Sequence, residues 1–278
     1  MAHCIAQEAE NLLDKEIPVL DKGFVRLVDY LGSDERIVQA ARVSYGKGTK
    51  TMREDAALID YLLRHNHTSP FEQVVLTFHL KMPIFVARQW VRHRTGRMNE
   101  VSGRYSVMAD EFYVPHAADV AHQASSNKQG RGEPFCDEEA GNIIEEFKAQ
   151  QQKAYKGYSA MIERGVAREL ARINLPLSVY TQFYWQMDLH NLFHFLTLRL
   201  DSHAQREIRA YAEVILQVVK ALCPMAASSF VNVRLKAVSF NGEELEAMRS
   251  LLSGKANPIT DDKKLKRFYT KLETGEQL

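Results

Sequence analysis

The sequence predicts an α+β fold, in which helices are interleaved with a small number of strands. Segments of helical periodicity alternate irregularly with a few segments in which apolar and polar residues alternate, and such alternation is typical of half-buried strands. The chain has neither a regular strand–helix–strand rhythm nor a GxGxxG sequence. An α+β domain therefore fits the pattern better than a dinucleotide-binding α/β fold.

The composition limits the class of protein. The 278 residues include 36 basic and 35 acidic side chains, a net charge of +1, and 45% are apolar. These values argue against disorder and against bulk attraction to nucleic acid or membranes. The three cysteines are widely spaced without a CxxC pair, and the N-terminus lacks the features of a signal peptide. No apolar run approaches the roughly 20 residues that span a bilayer. We expect a soluble protein of the cytoplasm.

The first half of the chain predicts three strands and three helices after a short extension at residues 1–20, where one or two helical turns are expected. Alternation predicts strands at 23–31 and 72–82. Helices are predicted from the N-cap Ser33 to about 44, at 54–65, and at 84–93 with Pro83 as first helical residue. Residues 94–106 are expected to form a polar loop, and 111–115 to return as a strand.

The second half predicts one further strand and three helices. Residues 116–137 are polar and rich in small residues, which favours a long mobile loop that could act as a lid. A helix is expected at 137–164, closed by Gly165, and an aromatic strand at 180–186. Asp188 is expected to cap the next helix, and Ser202 and Gln205 to form a capping box for a helix at 203–222. The charged tail after about residue 253 is expected to fray.

The segment 88–104 concentrates positive charge, because five arginines face one acid, Glu100. The arginines are Arg88, Arg92, Arg94, Arg97 and Arg104. Guanidinium groups bind phosphate oxygens bidentately, and the turn at 102–104 could add a hydroxyl and backbone N–H donors. A phosphate site and a surface cluster paired with acids elsewhere both fit this density of arginine. A non-catalytic RNA- or nucleotide-binding module is the alternative function, although the near-zero net charge speaks against it.

Other chemistries fit the sequence less well. His190 and His194 share a helix face, but without an HExxH motif or a fixed third ligand we expect no metal site. A histidine-based metallohydrolase therefore stays a minor alternative. Ser102 lacks the GxSxG context of a serine nucleophile, and neither Cys136 nor Cys223 lies where its thiol would be activated.

Five motifs carry a resemblance to a known family. Arg92-His93-Arg94 followed by seven residues and Ser102 matches the RHR-x7-S signature of flavin-dependent thymidylate synthases. The chain is also similar to this family, in the same order along the sequence, at ARVSYG (41–46), HTSPFE (67–72), FVARQWVRHR…NEVSGRYS (85–106), ARINLPL (171–177) and LRLDSHAQ (198–205). The resemblance covers about 200 residues, from Lys22 to Cys223.

The resemblance implies a reaction and a fold. In this family dUMP receives a methylene from 5,10-methylenetetrahydrofolate, reduced FAD supplies the hydride, and NADPH usually reduces the flavin; the products are dTMP and tetrahydrofolate. It implies a mixed or antiparallel central sheet flanked by helices. The family is a homotetramer whose active sites combine several subunits. The implied division is an extension at 1–21, a catalytic domain at 22–225, and a C-terminal extension with the charged tail at 226–278.

The resemblance also implies the residues of the two binding sites. The dUMP site would use Gln89, Arg92, Glu100, Ser102, Gly103, Arg104, Arg172 and Arg199. The phosphate would fall to Gln89, Ser102, Arg104 and Arg172. Arg199 would lie against the uracil ring as the catalytic residue, because a fixed cation there stabilises the charge that develops when N3 ionises.

The flavin site would use a second set of residues: Ser69, Arg92, His93, Arg94, Glu100, Asp188, His190 and His194, with Ser44, Glu72 and His203 as further candidates. Some relatives carry asparagine in place of Asp188 and of His194. Asp188 could still bind FAD through its backbone, although its negative charge would repel a pyrophosphate, and for Asp188 and His194 both side-chain and backbone contacts stay open.

Overall fold

A five-stranded antiparallel sheet forms the centre of the larger of two compact units. The computed structural model describes residues 5–43, 52–125 and 130–275. Residues 1–227 belong to the first unit and 228–278 to the second. The strands are β1 (Glu16–Val19), β2 (Gly23–Leu31), β3 (Val75–Pro83), β4 (Arg97–Glu100), β5 (Ala121–Gln123), β6 (Arg131–Pro134) and β7 (Tyr180–Asp188). The sheet has the order β1-β2-β3-β7-β4, with every pair antiparallel, which confirms the predicted fold class.

Helices surround the sheet and make up the second unit. They are α1 (Gln7–Glu10), α2 (Asp34–Arg42), α3 (Met52–Arg64), α4 (Ile84–Trp90), α5 (Asp137–Glu163), α6 (Arg168–Ala171), α7 (Leu189–Arg199), α8 (Arg206–Leu222), α9 (Pro224–Phe230), α10 (Gly242–Leu252) and α11 (Asp262–Thr274). Within the described ranges, no helix has the length and apolar character needed to cross a membrane.

The alternating side chains of β3 and β7 build the core of the first unit. On β3 alternate apolar side chains, those of Leu76, Phe78, Leu80 and Met82, are fully buried, while the intervening Thr77, His79 and Lys81 lie on the opposite face. Trp90 of α4 packs on the buried face, with its ring 5.1 Å from Trp185 on β7 and 4.5 Å from Phe195 on α7. These contacts fix the ends of α4 and α7 next to each other, and the candidate site is built at this junction.

The predicted strands at 23–31 and 180–186 are confirmed, the second continuing to Asp188. The strand predicted at 72–82 begins only at Val75, because Phe71–Gln73 form a 3₁₀ turn. Pro83 precedes α4 as its N-cap residue, and α4 ends at Trp90 rather than 93. At 111–115 a single bridge pairs Phe112 with Val179, so the expected strand does not form.

Two expected loops contain strands. Within 94–106, β4 pairs with β7 through its backbone although most of its side chains are exposed, so its sequence lacks an apolar alternation. Within 116–137, where a long loop was expected, the described residues include a 3₁₀ turn at Ala117–Asp119 and the antiparallel hairpin β5–β6, and residues 126–129 lie outside the described residues. Arg206 of α8 binds Asp119, and Arg131 of β6 binds Glu207, so side chains of α8 hold this segment.

The helix starts in the second half depend on single side chains. Asp188 caps α7 as predicted, because its carboxylate accepts from the Asn191 N–H at 2.9 Å. The capping box predicted at Ser202 and Gln205 is wrong, since α8 begins at Arg206 with Gln205 as its N-cap residue. The predicted long helix is confirmed as α5, and Gly165 follows it with φ +79°.

The second unit has its own small core, contrary to the expected frayed tail. Phe268 of α11 is fully buried with Ala247 of α10 and Ile259. Asn241 and Glu244 form a capping box at the start of α10. Lys271 of α11 donates to both Glu244 oxygens at 2.7 and 2.8 Å, and both side chains are only 6% exposed. The charged residues of this tail therefore include a buried ion pair.

Candidate active site

The turn after α4 carries the arginine-rich motif. Trp90 is buried, and the His93 N–H donates to the Trp90 carbonyl at 3.0 Å, which closes a tight turn at the helix end. This turn leaves Arg92 and Arg94 exposed on either side of a half-buried His93. The motif therefore presents two cations outward and one imidazole inward.

Arg199 at the end of α7 reaches the same turn. Its Nε–H donates to His93 Nε2 at 3.0 Å, and its Nη2 donates to the Gln89 carbonyl at 3.1 Å. Burial, followed by the positive charges of Arg199 and His194, lowers the pKa of His93 to about 4. A neutral imidazole can accept this hydrogen bond, whereas imidazolium could not. Burial also lowers the pKa of Arg199, but a guanidinium stays charged at neutral pH.

Ion pairing separates the arginines of this segment from other surface arginines. In the part of the chain that the structure describes, Arg88, Arg92 and Arg94 form no ion pair, and Arg97 is bonded to the Gln186 amide. A group of exposed cations without acidic neighbours attracts anions. This observation favours the anion-site interpretation of the arginine cluster over a cluster paired with acids of the same chain.

A second group of predicted residues lies around the turn after β4. The Arg104 N–H donates to Ser102 Oγ at 3.3 Å, and the Arg104 side chain lies 3.3 Å from Glu169. Gly103 is buried, and a Cβ there would lie 3.1 Å from Arg172 Cδ. Ser102, Gly103, Arg104 and Arg172 are thus brought together, as predicted for a phosphate cradle.

Glu100 lies on β4 between the arginine turn and this second group. Its Oε1 accepts from Thr181 Oγ1 at 2.5 Å, which leaves the second carboxylate oxygen for another partner. Thr181, on β7, was missed by the sequence analysis. Its burial in a strand that otherwise buries aromatic and apolar side chains is the signal that could have revealed it.

The predicted flavin residues lie along α7. The Leu189 N–H donates to the Val74 carbonyl at 2.8 Å, so the loop that holds Ser69 and Glu72 runs beside the start of this helix. His194 lies further along α7, with its ring 6.2 Å from His93. Along α7 therefore lie Asp188 as its N-cap residue, then His190 and His194, with His93 of the arginine turn beside His194.

Asp188 has a structural role that the sequence partly predicted. One carboxylate oxygen accepts from the Asn191 N–H and the other accepts from the Asn191 side-chain amide at 2.7 Å. This carboxylate is thus used in holding the first turn of α7. Its side chain is therefore directed to the first turn of the helix.

Some predicted residues are not joined within one chain. Among the described residues, no hydrogen bond or ion pair links the group Gln89, Arg92 and Arg199 to the group Ser102, Arg104 and Arg172. His203 is exposed and bonded to Asp201. Ser44 lies outside the described residues. No cluster of three metal-ligating side chains occurs in the described ranges.

The sequence analysis also missed a buried acid next to the arginine turn. Glu207 of α8 is fully buried, and Gln205, which precedes α8, joins it to Gln89 by hydrogen bonds. The signal was available, because Glu207 lies one turn before Tyr211 on the apolar stripe of α8. A charged residue on such a stripe needs partners, and here they come from three separate segments.

Known proteins share this architecture and sequence. A family model described as thymidylate synthase complementing protein matches residues 26–225, and one described as the thymidylate synthase ThyX C-terminal domain matches 238–278. A flavin-dependent thymidylate synthase from Treponema denticola is 60% identical over 267 residues, covering 96% of this chain and 100% of the relative. One from Treponema pallidum is 57% identical over 278 residues, covering 100% and 91%.

A solved structure agrees with these relatives. It is the UMP/dUMP methylase PolB from Streptomyces cacaoi bound with 5-Br dUMP, with a TM-score of 0.71 and 32% identity, covering 78% of this chain and 97% of that chain. The chain therefore belongs to the flavin-dependent thymidylate synthase family.

Proposed function

We propose that this chain catalyses the reductive methylation of dUMP to dTMP, and so supplies thymidine nucleotide for dTTP biosynthesis. The carbon donor is 5,10-methylenetetrahydrofolate, which leaves as tetrahydrofolate, and FAD reduced by NADPH supplies the hydride. The observation that carries the proposal is the half-buried Arg199 guanidinium, held by a neutral His93 and the Gln89 carbonyl at the arginine turn. Family membership and the nucleotide complex of PolB support the same reaction.

Arg199 is the catalytic residue of this proposal. Two of its five N–H groups are engaged by His93 and Gln89, which leaves three to face a pyrimidine ring. A guanidinium fixed in this way stabilises negative charge at N3 and O4 of uracil without having to reorganise during the reaction. Electron density is thereby directed toward C5, where the new carbon is attached.

The dUMP phosphate is assigned to Gln89, Ser102, Arg104 and Arg172, with Arg92, Glu100 and Gly103 completing the nucleotide site. The buried Gly103 supports this assignment, because the absence of a Cβ there lets Arg172 lie against the β4 turn. Ser102 has a hydroxyl but no neighbouring base among its described contacts, so it binds and orients the substrate rather than attacking it.

The residues around α7 fit a dinucleotide with a pyrophosphate. Arg92 and Arg94 carry positive charge without an acidic partner in the described part of the chain, and pyrophosphate supplies the missing negative charge. The remaining proposed flavin residues, Ser69, His93, Glu100, His190 and His194, supply hydrogen-bonding groups for its ribose and ring carbonyls. Asp188 holds the first turn of α7 and contributes through its backbone.

We further propose that the protein is a homotetramer in the cytoplasm with active sites shared between subunits. The two groups of phosphate-site residues are not linked within one chain, and large apolar side chains are exposed beside the second group. These are Tyr105 (75%), Leu170 (57%), Ile173 (69%) and Leu177 (62%). Exposed apolar side chains at this density are typical of subunit interfaces.

Complementation between inactive variants tests the shared site. Arg199→Ala and Arg104→Ala, each on a differently tagged chain, are co-expressed and the mixed oligomers are purified. If each site takes Arg199 and Arg104 from different chains, up to about a quarter of the sites regain both arginines, and activity returns accordingly. Mixed oligomers that stay as inactive as the two parents would contradict the shared site.

The role of Arg199 is tested in the purified flavin-loaded protein. We expect Arg199→Ala to lower dTMP formation by about 10²- to 10³-fold or more, as is usual when a transition-state electrostatic donor is removed. FAD should stay bound, since Arg199 is not among the proposed flavin residues. Arg36→Ala, an arginine of α2 bonded to Gln39, serves as the matched control. Full activity in the Arg199 variant would refute the assignment.

A further inference from the structure

A continuous chain of hydrogen bonds runs from the interior of the first unit to the proposed phosphate site. Gln89 Nε2 donates to Gln205 Oε1, and Gln205 Nε2 donates to Glu207 Oε2 at 2.8 Å. Neither Gln205 nor Glu207 belongs to the residues assigned to dUMP or FAD. These two hydrogen bonds therefore link the amide of Gln89, a proposed substrate-binding residue, to the buried carboxylate of Glu207, which has no role in the proposed reaction.

Glu207 is held as a carboxylate. Its Oε1 accepts from the Tyr113 hydroxyl at 2.9 Å and from the Arg131 guanidinium of β6. Burial raises the pKa of Glu207, but the hydrogen bond and charge of Arg131, together with the Tyr113 hydrogen bond, outweigh burial and hold the pKa below its usual range. An ionised carboxylate only accepts hydrogen bonds. Every neighbour of Glu207 must accordingly present a donor.

This requirement fixes which group donates and which accepts in each hydrogen bond from Glu207 to Gln89. A glutamine amide has a donor end and an acceptor end of nearly the same shape, so its direction is set by its partners. Since Glu207 only accepts, Gln205 must direct its NH₂ toward Glu207 and its oxygen toward Gln89. Gln89 must then direct its own NH₂ toward Gln205. Of the two N–H groups on that nitrogen, one is used and the other stays available beside the arginine turn.

We propose that Glu207 and Gln205 are positioning residues that hold the Gln89 amide with an N–H, rather than its oxygen, toward the substrate phosphate. The inference rests on the proposed function, which assigns the phosphate to Gln89. An amide held the other way would present a carbonyl oxygen to a phosphate oxygen, and two acceptors repel. The carboxylate thus acts on the phosphate site through two amides, without touching the substrate.

The hairpin β5–β6 takes part in this arrangement. Arg131 supplies the charged donor that keeps Glu207 ionised in the interior, and Arg206, next to Glu207, binds Asp119 before the hairpin. Glu207 is buried whereas Gln205 is exposed, so the network is anchored at its buried carboxylate, where an unsatisfied group would be costly. The hairpin is therefore connected to the phosphate site through Glu207.

A double-mutant cycle on the FAD-loaded protein tests the proposal. Gln205→Met keeps the length of the side chain and removes its polarity, while Gln89→Ala removes the amide that it directs. The dissociation constant for dUMP is measured by calorimetry in the parent, both single variants and the double variant. We expect Gln205→Met to weaken dUMP binding by about tenfold, the effect of one hydrogen bond to a charged group.

The cycle distinguishes positioning from a general structural effect. In the Gln89→Ala background, Gln205→Met should produce no further loss, because the amide that it orients is gone. FAD content and melting temperature should match those of Gln152→Met, a control on the exposed face of α5. Losses that add in the double variant, or unchanged dUMP binding in Gln205→Met, would overturn the inference.

Glu207→Gln is the second variant. It replaces an obligate acceptor by an amide that can turn either way, so dUMP binding should weaken, and the loss should vanish in the Gln205→Met background. If this buried variant does not fold, the Gln205 and Gln89 cycle decides the question without it. A flavin-loaded parent that binds no dUMP would refute the proposed substrate itself, whereas normal binding in the parent with no coupling in the cycle would refute only the positioning role.

Discussion

His93 is the residue on which the geometry of Arg199 depends most closely. Its Nε2 accepts the Arg199 Nε–H at 3.0 Å, and only the neutral imidazole has the lone pair for this bond. Burial and two nearby positive charges keep the ring neutral, with a pKa of about 4. The same surroundings that keep His93 able to accept the Arg199 hydrogen bond therefore make its imidazole a weak base.

This account predicts how His93 titrates. Because the pKa of His93 in the folded protein lies below the ordinary histidine value of 6.5, the unfolded chain takes up the proton first when the pH falls from 6.5 toward 4, and stability is lost over that interval. NMR of histidine labelled at ring carbon Cε1, with His93→Gln for assignment, should show the His93 signal unchanged between pH 8 and pH 5. A midpoint near 6.5 would contradict the account.

At the scale of residues, the sequence predicted which side chains belong to the candidate site better than it predicted which side chains bond to one another. The arginine turn and the Ser102–Arg104 turn were predicted because their residue types are local in the sequence. Glu207, Gln205 and Thr181 were missed because their partners lie on other segments, which only the folded chain brings together. The two-group arrangement of the phosphate residues was likewise invisible in the sequence.

At the scale of elements, α7 places three proposed flavin residues and Arg199, so its first turn decides the site's geometry. Asp188 caps this turn through both carboxylate oxygens. We expect Asp188→Ala to lower the free energy of unfolding by about 0.5–2 kcal/mol, the usual cost of losing an N-cap. Chemical denaturation followed by circular dichroism measures this loss.

The matched variant Asp188→Asn separates capping from charge. Asparagine accepts the same backbone hydrogen bond, so stability should stay within about 0.5 kcal/mol of the parent. FAD binding should be equal or tighter, since one negative charge near the proposed pyrophosphate site is removed. Equal destabilisation in the alanine and asparagine variants would show that the cap does not hold α7.

The strands show why some elements were predictable from the sequence and others were not. β2, β3 and β7 bury one face against helices, so their apolar alternation is visible in the sequence. β4 is an edge strand whose RMNE sequence pairs with β7 through the backbone and through the polar side chains of Arg97 and Glu100, so it carries no apolar alternation. In the hairpin β5–β6 most side chains are exposed, and it is held by ion pairs from α8, which leave no periodic pattern.

At the scale of the whole molecule, the chain divides into two units that are stabilised differently. The first has a broad aromatic core on the sheet, and the second depends on a few apolar side chains and the Glu244–Lys271 ion pair. The sequence suggested a frayed tail because charged residues dominate after residue 253. One of those charges, Lys271, is paired inside the unit, and this pairing is not visible in the composition.

The Glu244–Lys271 ion pair predicts that breaking it destabilises the second unit alone. The Lys271 hydrogen bond outweighs burial and holds the pKa of Glu244 below its usual range, so its stabilisation is present above that range and is lost as the pH falls. Lys271→Met leaves the buried carboxylate unpaired, which costs about 3–5 kcal/mol. Hydrogen exchange should then speed up across 242–274. The double variant Lys271→Met, Glu244→Leu should recover most protection; continued rapid exchange in it would contradict this account.

The central claim is that this chain methylates dUMP with a flavin as the hydride source. The most direct test is dTMP formation by the purified protein given dUMP, 5,10-methylenetetrahydrofolate, FAD and NADPH, with FAD and NADPH omitted in turn. The account predicts dTMP in the complete mixture and none when either is omitted from flavin-free protein. Product formed without flavin, or no product from a folded protein that binds both FAD and dUMP, would contradict it.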